Sequence, residues 1–416
     1  MKSYRAFIAK QIQDIQASYW FLPATLVILA ILLAEAMLYL DRNAEWLVKL
    51  LPETLRDTQV DGARALMGII SQSVFGVAGV MFSMTIVAVS FAAGNFGPRL
   101  IGNFMRDRGN QRSLGILVST FVYALFVARA IQGEQPGGAL QDSVLFVPHL
   151  AITLAFLLTL VSVLTVIYFV HHIPEIINVS NITADIGKRL IRDLKALIDD
   201  QAEERKDETE KVTPIPSRDP DTELALKQCG YIQTLDKSRL EQLAEQNDWV
   251  IDVPVPHGEF INEDSAILKI WGPEVPDELV PELRGCFALG ENPSDTQNLF
   301  FMVDQLVEMI ARALSPGIND PFTAINCLNW LHAAVVVAAN HNGGLAGRSG
   351  GPVRTIPATF QRLLDTGFGA SFPYVKDDPL CDKHLRSVLS RCRDEISDST
   401  HLETFERFVD GLKQRA

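Results

Sequence analysis

The sequence has few cysteines and lacks the residue patterns of common enzyme and nucleotide sites. Its five cysteines are odd in number and have no metal-like spacing, which argues against a disulfide framework and a zinc site. It has no nucleophile elbow, zinc-protease motif, Walker loop or dinucleotide fingerprint. We therefore expect no catalytic residue and no metal. The net charge of −13 argues against nucleic acid as a partner.

Charged residues are also scarce over long stretches of the first 173 residues. Residues 65–98 form a run of 34 without one ionisable side chain, more than the roughly 20 residues that cross a bilayer. The first apolar run begins near Tyr19 and is too long for a cleavable signal peptide. We predict four transmembrane helices at 20–40, 65–98, 113–131 and 143–170.

Basic residues are missing from one loop between the predicted spans and abundant in another. The loop "QGEQPGGALQD" has no lysine or arginine, whereas residues 99–112 contain four arginines. The positive-inside rule then places the four-arginine loop and both termini in the cytoplasm of a bacterial inner membrane. Residues 1–18 read as an interfacial amphipathic helix, so the lipid bilayer is the first expected partner.

The rest of the chain predicts a cytoplasmic α+β domain, in which a small β-sandwich-like unit is followed by a helical bundle. "GYIQTL", "WVIDVPV" and "AILKIW" have strand patterns and resemble biotinyl and lipoyl carrier domains. Those carriers attach the cofactor to a lysine in a turn where this chain has "NEDS", so no cofactor is expected. The predicted boundaries are a transmembrane domain at 19–173, a neck helix at 174–198, a charged linker at 199–223, a β-rich subdomain at 224–274 and a helical subdomain at 275–416.

Two further segments resemble a known family. These are "FSMTIVAVSFAAGNFGPRLIGNFMRDRGNQ", residues 82–111, and "RALSPGINDPFTAINCL", residues 312–328. Both are similar to the bacterial predicted membrane proteins grouped as domain of unknown function 2254, and the similarity covers essentially the whole chain. The resemblance implies an inner-membrane protein of several spans with a cytoplasmic tail, without specifying an activity.

Small and hydroxyl side chains recur on one face of the second predicted span. Such a stripe serves either close helix packing or the wall of a pore. If copies of the chain assemble about an axis, the pore-lining residues would be Gln72, Gly76, Gly79, Ser83, Ile86 and Ser90. Gly94, Gly97 and Pro98 would form a hinge, and Arg99 and Arg106 an electrostatic ring at the inner mouth that favours anions.

Other intramembrane and turn residues allow more than one role. Glu35 and Arg129 are predicted to form an ion pair, the alternative being that each reaches the interface separately. His149 suits either a structural hydrogen bond or a proton relay. In "SPGINDPFTA", Gly317 is the expected left-handed cap; Asn319 and Asp320 form a cytoplasmic turn that either joins two helices or binds a ligand or a neighbouring subunit.

These features together favour a homo-oligomeric ion channel, anion-preferring or nonselective, that conducts inorganic ions or small solutes. The alternative is a membrane-anchored cytoplasmic ligand-binding sensor or scaffold without a pore, which predicts a fully packed membrane core. A proton-coupled transporter using His149 and Glu35 is a third reading, but the four predicted spans show no inverted repeat.

Overall fold

The computed structural model describes residues 18–56, 58–132, 146–206, 214–346 and 351–415. It is mostly helical, with five helices long and apolar enough to cross a membrane and a smaller region of two sheets. The chain divides into two compact units. The C-terminal unit contains Asn95–Arg99 and the chain from Val179 onward, and the N-terminal unit contains Asp14–Gly94 and Leu100–Asn178. Residues 1–17 of the predicted interfacial helix at 1–18 and most of the loop after the third span lie outside the described residues.

Four long helices build the N-terminal unit, one at each predicted span. Its helices are α1 (Phe21–Asn43), α2 (Glu45–Val48), α3 (Glu53–Arg56), α4 (Val60–Phe96), α5 (Ile101–Met105), α6 (Arg108–Ala130) and α7 (His149–Ile176). A 3₁₀ turn, Pro98–Leu100, separates α4 from α5. At 1.5 Å per residue the 37-residue α4 is about 55 Å long, well beyond a roughly 30 Å hydrocarbon layer.

The tightest packing in this unit is between α1, α6 and α7. Gly115 of α6 faces α1 so closely that an added Cβ would lie 2.6 Å from Leu26 and 3.2 Å from the backbone of Pro23. The backbone of α4 stays farther from the other helices and contributes side chains to the shared core instead. These α4 core residues are Ala63, Met67, Ile70, Val74, Ala78, Met81 and Ala88.

The C-terminal unit combines helices with short strands. Its elements are α8 (Val179–Lys206), β1 (Thr222–Ala225), β2 (Gly230–Leu235), α9 (Lys237–Gln246), β3 (Val250–Val253), β4 (Phe260–Ile261), β5 (Ala266–Trp271), α10 (Val280–Gly285), β6 (Phe287–Gly290), α11 (Phe300–Ala313), α12 (Pro321–Asn340), β7 (Val353–Thr355), α13 (Phe360–Leu364), α14 (Ala370–Val375), α15 (Pro379–Glu395) and α16 (Ser399–Arg415). The first helix differs from the predicted neck helix at 174–198, because it begins at Val179 and extends into the segment predicted as a linker.

Two sheets form the β-region, with strand orders β1-β5-β3-β7 and β4-β2-β6. All neighbouring strands are antiparallel except β3 and β7, where Ile251 pairs with Val353. Strands β2, β3 and β5 were predicted from their sequence patterns. The strand β7 was not, because its partner strand lies about a hundred residues earlier in the chain.

The remaining helices pack together in the same unit. The helix α12 is the fifth apolar candidate span, with a hydropathy of 1.5 against 2.7 for α7, and half of that stretch is buried. The helix before it, α11, begins at Phe300 after Leu299. Asp295, a few residues earlier, binds the guanidinium of Arg189 on α8 at 2.6 Å.

Candidate functional site

The stripe of small side chains on α4 points away from the rest of the chain. Gln72, Gly76, Gly79, Ser83 and Ser90 are all exposed, and Ile86 is 45% exposed. The buried residues of α4, among them Val74, Ala78, Met81 and Thr85, lie on the opposite side of the helix. We call the stripe Gln72, Gly76, Gly79, Ser83, Ile86 and Ser90 the outward face. Close packing among the described residues therefore does not account for it.

The glycines of the outward face have free space around them. A Cβ added to Gly76 or Gly79 would meet nothing within 4 Å, in contrast to the crowded Gly115. Ser83 donates its hydroxyl hydrogen bond to the carbonyl of Gly79 at 3.0 Å, so it needs no partner from another helix. The outward face is therefore a shallow surface that a second helix or water could contact closely.

The predicted hinge coincides with the end of α4. The helix ends at Phe96, and Gly97 has φ +123°, a conformation that favours glycine. A Cβ at Gly97 would lie 2.7 Å from the carboxyl of Glu308 on α11. Pro98 then begins the 3₁₀ turn. Gly97 is therefore required both by its backbone angle and by the close approach of Glu308.

Arg99, predicted to belong to an open electrostatic ring, faces two carboxylates within the C-terminal unit. Its guanidinium lies 3.3 Å from Asp304 and 3.8 Å from Glu308, both on α11. Gln305 donates from Nε2 to the Arg99 carbonyl at 3.1 Å. Burial raises the pKa of Asp304, and the positive charge of Arg99 opposes that shift. Because acidic groups offset the charge of Arg99, it adds less positive field than the prediction assumed. Arg106, the second ring residue, is exposed at the end of α5 in the N-terminal unit.

A polar cluster inside the N-terminal unit was not predicted. Thr85 donates its hydroxyl hydrogen bond to Asn110 Oδ1 at 3.1 Å, and Asn110 is 1% exposed. Asp107 caps α6 by accepting from the Asn110 backbone N–H at 2.7 Å, and it also lies 2.9 Å from His172 Nε2. These contacts join α4, α6 and α7. Since Thr85 lies on the buried side of α4, its bond helps to fix which side faces outward.

The lack of a side chain at Gly109 allows His172 and Tyr168 to pack against the start of α6. A Cβ at this position would lie 2.5 Å from His172 Nε2 and 2.6 Å from the Tyr168 hydroxyl. The His172 ring stacks on Tyr168 at a centroid distance of 5.0 Å. The one signal for this cluster in the sequence was the capping aspartate before an apolar helix.

The other intramembrane residues lie at the far end of the N-terminal unit. Glu35 and Arg129 are both exposed, and within the described ranges no salt bridge joins them. His149 begins α7, with Nδ1 buried and lacking a hydrogen-bond partner among the described residues. Asp41, which the sequence analysis did not single out, accepts from the backbone N–H groups of Leu150 and Ala151, both at 2.9 Å. The helix start at His149 is thus anchored to α1.

The predicted cytoplasmic turn joins α11 and α12. Asp320 caps α12 by accepting from the Thr323 N–H at 3.2 Å, as its position before Pro321 predicted. The left-handed residue is Asn319, with φ 50°, rather than Gly317 as expected. Asparagine tolerates this conformation because its short polar side chain can bond locally. The geometry accounts for the turn as a helix connection.

Comparison with known proteins identifies relatives but no structural precedent. The family model described as "Predicted membrane protein (DUF2254)" matches residues 16–391. Relatives from Mycobacterium bovis and Mycobacterium tuberculosis, both described as uncharacterized proteins, are 28% identical over 285 residues, or 67% of this chain and 53% of theirs. The chain therefore spans about half the length of these curated relatives. No solved structure matches it.

Proposed function

The chain belongs to this family of predicted membrane proteins, and from that premise we propose that it is a homo-oligomeric inner-membrane channel rather than an enzyme. The outward face of α4 lines the conduction path, and inorganic ions or small solutes pass through it. Lipid surrounds the other exposed faces of the four long N-terminal helices.

The observation that carries the proposal is the exposure of the outward face in a single chain. Lipid-facing helices need bulky apolar side chains, and α4 has them beside the stripe, at Val80 and Val87. Glycine and serine gain little from lipid, but they suit a neighbouring helix or water. If copies of the chain assemble about a symmetry axis, each α4 would contact both a neighbouring helix and water. The glycines would lie at the helix contacts and the serines would face water.

Selectivity in this proposal is weaker than the arginine count suggests. Asp304 and Glu308 offset the charge of Arg99, the first member of the proposed ring. We therefore propose a nonselective path with at most a modest anion preference. That preference should fall as salt rises, because exposed charges are screened beyond about 8–10 Å at physiological ionic strength.

The proposed topology has four spans, with both termini and the C-terminal unit in the cytoplasm. The fifth apolar helix, α12, supplies fully buried residues such as Ala324, Leu328 and Ala338 to the C-terminal unit. His384 on α15 lies 2.8 Å from Asn329 of α12, a polar contact that suits a water-soluble domain. Both features support α12 as a core helix rather than a span.

Thiol labelling along α4 tests the proposal. Cys229 is the exposed native cysteine among the described residues, while Cys286, Cys381 and Cys392 are buried with pKa values raised to about 12 by desolvation. A Cys229→Ser background should therefore react slowly with thiol reagents. Single cysteines at Ser83 and Met84 are then introduced, and solute flux is measured in proteoliposomes.

The two positions form a matched pair at the same depth. Ser83 belongs to the outward face, whereas Met84 is 51% exposed but lies away from the stripe. A membrane-impermeant cationic thiol reagent should block flux through Ser83→Cys and leave Met84→Cys unaffected. Equal block at both positions, or flux no higher than in empty liposomes before labelling, would reject the channel.

A scaffold without a pore is the second candidate, favoured by the engagement of Arg99 with α11. In that case the outward face would pack against the same face of another copy. Cysteines at Gly76 and Gly79 would then form intermolecular disulfides, since packed helices can bring Cα atoms within the 4.4–6.8 Å range that a disulfide needs. A scaffold of this kind would also conduct no solute, and a cysteine introduced at Ser83 would not react with the thiol reagent.

A further inference from the structure

The five residues Asn95–Arg99 connect the end of α4 to the C-terminal unit, to which they belong. They include the Gly97-Pro98-Arg99 sequence of the first segment that resembles the family. Arg312 of the second segment lies 3.3 Å from Glu308, which is also a partner of Arg99. The two family-like segments therefore meet at the carboxylate of Glu308. Packing of each segment on its own would not require this shared partner.

Backbone and side-chain contacts both hold this short stretch on α11. Gln305 is 1% exposed, and its Nε2 donates to the Arg99 carbonyl at 3.1 Å. Gly97 has φ +123° and leaves no room for a side chain beside Glu308. The Arg99 guanidinium also lies 6.0 Å from the ring of Phe301. We call Gly97, Arg99, Asp304, Gln305 and Glu308 the clasp.

The ion pairs of the clasp are partly exposed, with 38% exposure for the Arg99 side chain and 41% for Asp304. Pairs of this kind change a conformational equilibrium by a few-fold rather than by orders of magnitude. Because Asn95 and Phe96 are also the last residues of α4, any movement of the clasp is transmitted along the chain to that helix.

We propose that the clasp is a latch through which the C-terminal unit controls the position of the end of α4. Its consequence, regulation of the conduction path, rests on the proposed function. The latch itself does not, since release should displace α4 whether or not solute passes. When the clasp is closed, Gly97 and Arg99 are held on α11, and when it is open, the chain that follows α4 loses this attachment.

Two measurements on the full chain in nanodiscs test the latch. Hydrogen exchange reports protection of the backbone amides around Gly97–Arg99. Electron paramagnetic resonance reports the distance between spin labels at Ser90→Cys and Arg108→Cys, two exposed positions of the N-terminal unit, in Cys229→Ser protein diluted with unlabelled chain. The variants are Arg99→Gln, the conservative Arg99→Lys, and Arg112→Gln as a control from the same basic segment.

Arg99→Gln should increase amide hydrogen exchange in the clasp. It should also raise, by about threefold, the fraction of molecules in which the distance between the two spin labels differs from that of the closed clasp, as expected for loss of a partly exposed ion pair. Arg99→Lys should fall between Arg99→Gln and the parent chain, and Arg112→Gln should match the parent chain. The latch is refuted if exchange rises without any change in the distance distribution, or if neither quantity changes. Absence of flux in the parent chain would reject the proposed function alone, because neither latch measurement depends on conduction.

Discussion

Alanine at Gly76 and alanine at Gly115 should have opposite effects on a single chain. In a helix interior, replacing glycine by alanine stabilises by about 1 kcal/mol through backbone entropy. At Gly76 nothing lies within 4 Å of the new methyl group, so an isolated chain should keep most of that gain. At Gly115 the methyl group would lie 2.6 Å from Leu26 Cδ1 and 3.2 Å from Pro23 Cα. Overpacking of this kind costs about 1–3 kcal/mol, which leaves Gly115→Ala neutral or destabilised by up to about 2 kcal/mol.

The assay is reversible unfolding in mixed micelles, at protein concentrations where the chain is monomeric and again where it is assembled. Gly76→Ala should be at least as stable as the parent chain when monomeric and less stable when assembled, if the glycine faces of neighbouring copies meet. Gly115→Ala should show the same change at both concentrations. A loss for Gly76→Ala in the monomer as large as that for Gly115→Ala would refute the assignment of the outward face.

Three further outcomes are expected. Ser83→Lys should abolish or strongly reduce flux while the protein still inserts, and unchanged flux in proteoliposomes would contradict a pore at this position. Asp320→Ala should cost about 1 kcal/mol in chemical denaturation through loss of the N-cap and leave flux unchanged, whereas lost flux in a folded variant would indicate a binding role. Burial lowers the pKa of His257, so the unfolded chain binds more protons and stability should fall as the pH drops below about 6.5. His257→Asn should reduce this acid sensitivity, monitored by the fluorescence of buried Trp249, and an unaltered pH profile would show that another group is responsible.

The long-range apolar pattern of the sequence was sufficient to place the helices of the N-terminal unit. The uncharged run at 65–98 predicted both an unusually long helix and its end near Gly97, and α4 has both properties. The pattern also predicted β2, β3 and β5, because strands with alternating burial leave a local signal. Span number, orientation and the predicted Glu35–Arg129 pair stay predictions.

Contacts between residues distant in the sequence could not be predicted in the same way. Arg99 meets Asp304 about two hundred positions later, and a hydropathy pattern contains no information about such a pairing. Neither Thr85 nor Asn110 has a distinctive sequence signal. They form a buried polar contact only because α4 and α6 bring them together in the fold. The stripe on α4 was visible in the sequence, but which side of the helix faces the core depends on that contact and on the packing of Met81 and Val74.

The most direct test of the central claim is a structure of the intact protein in lipid nanodiscs by cryo-electron microscopy, with the number of copies and the surroundings of α4 read from the same map. A channel lined by α4 should form a symmetric ring in which Gly79, Ser83 and Ser90 face a continuous hydrated axis. A monomer with this face toward lipid, or a dimer in which it is sealed between helices, would contradict the channel.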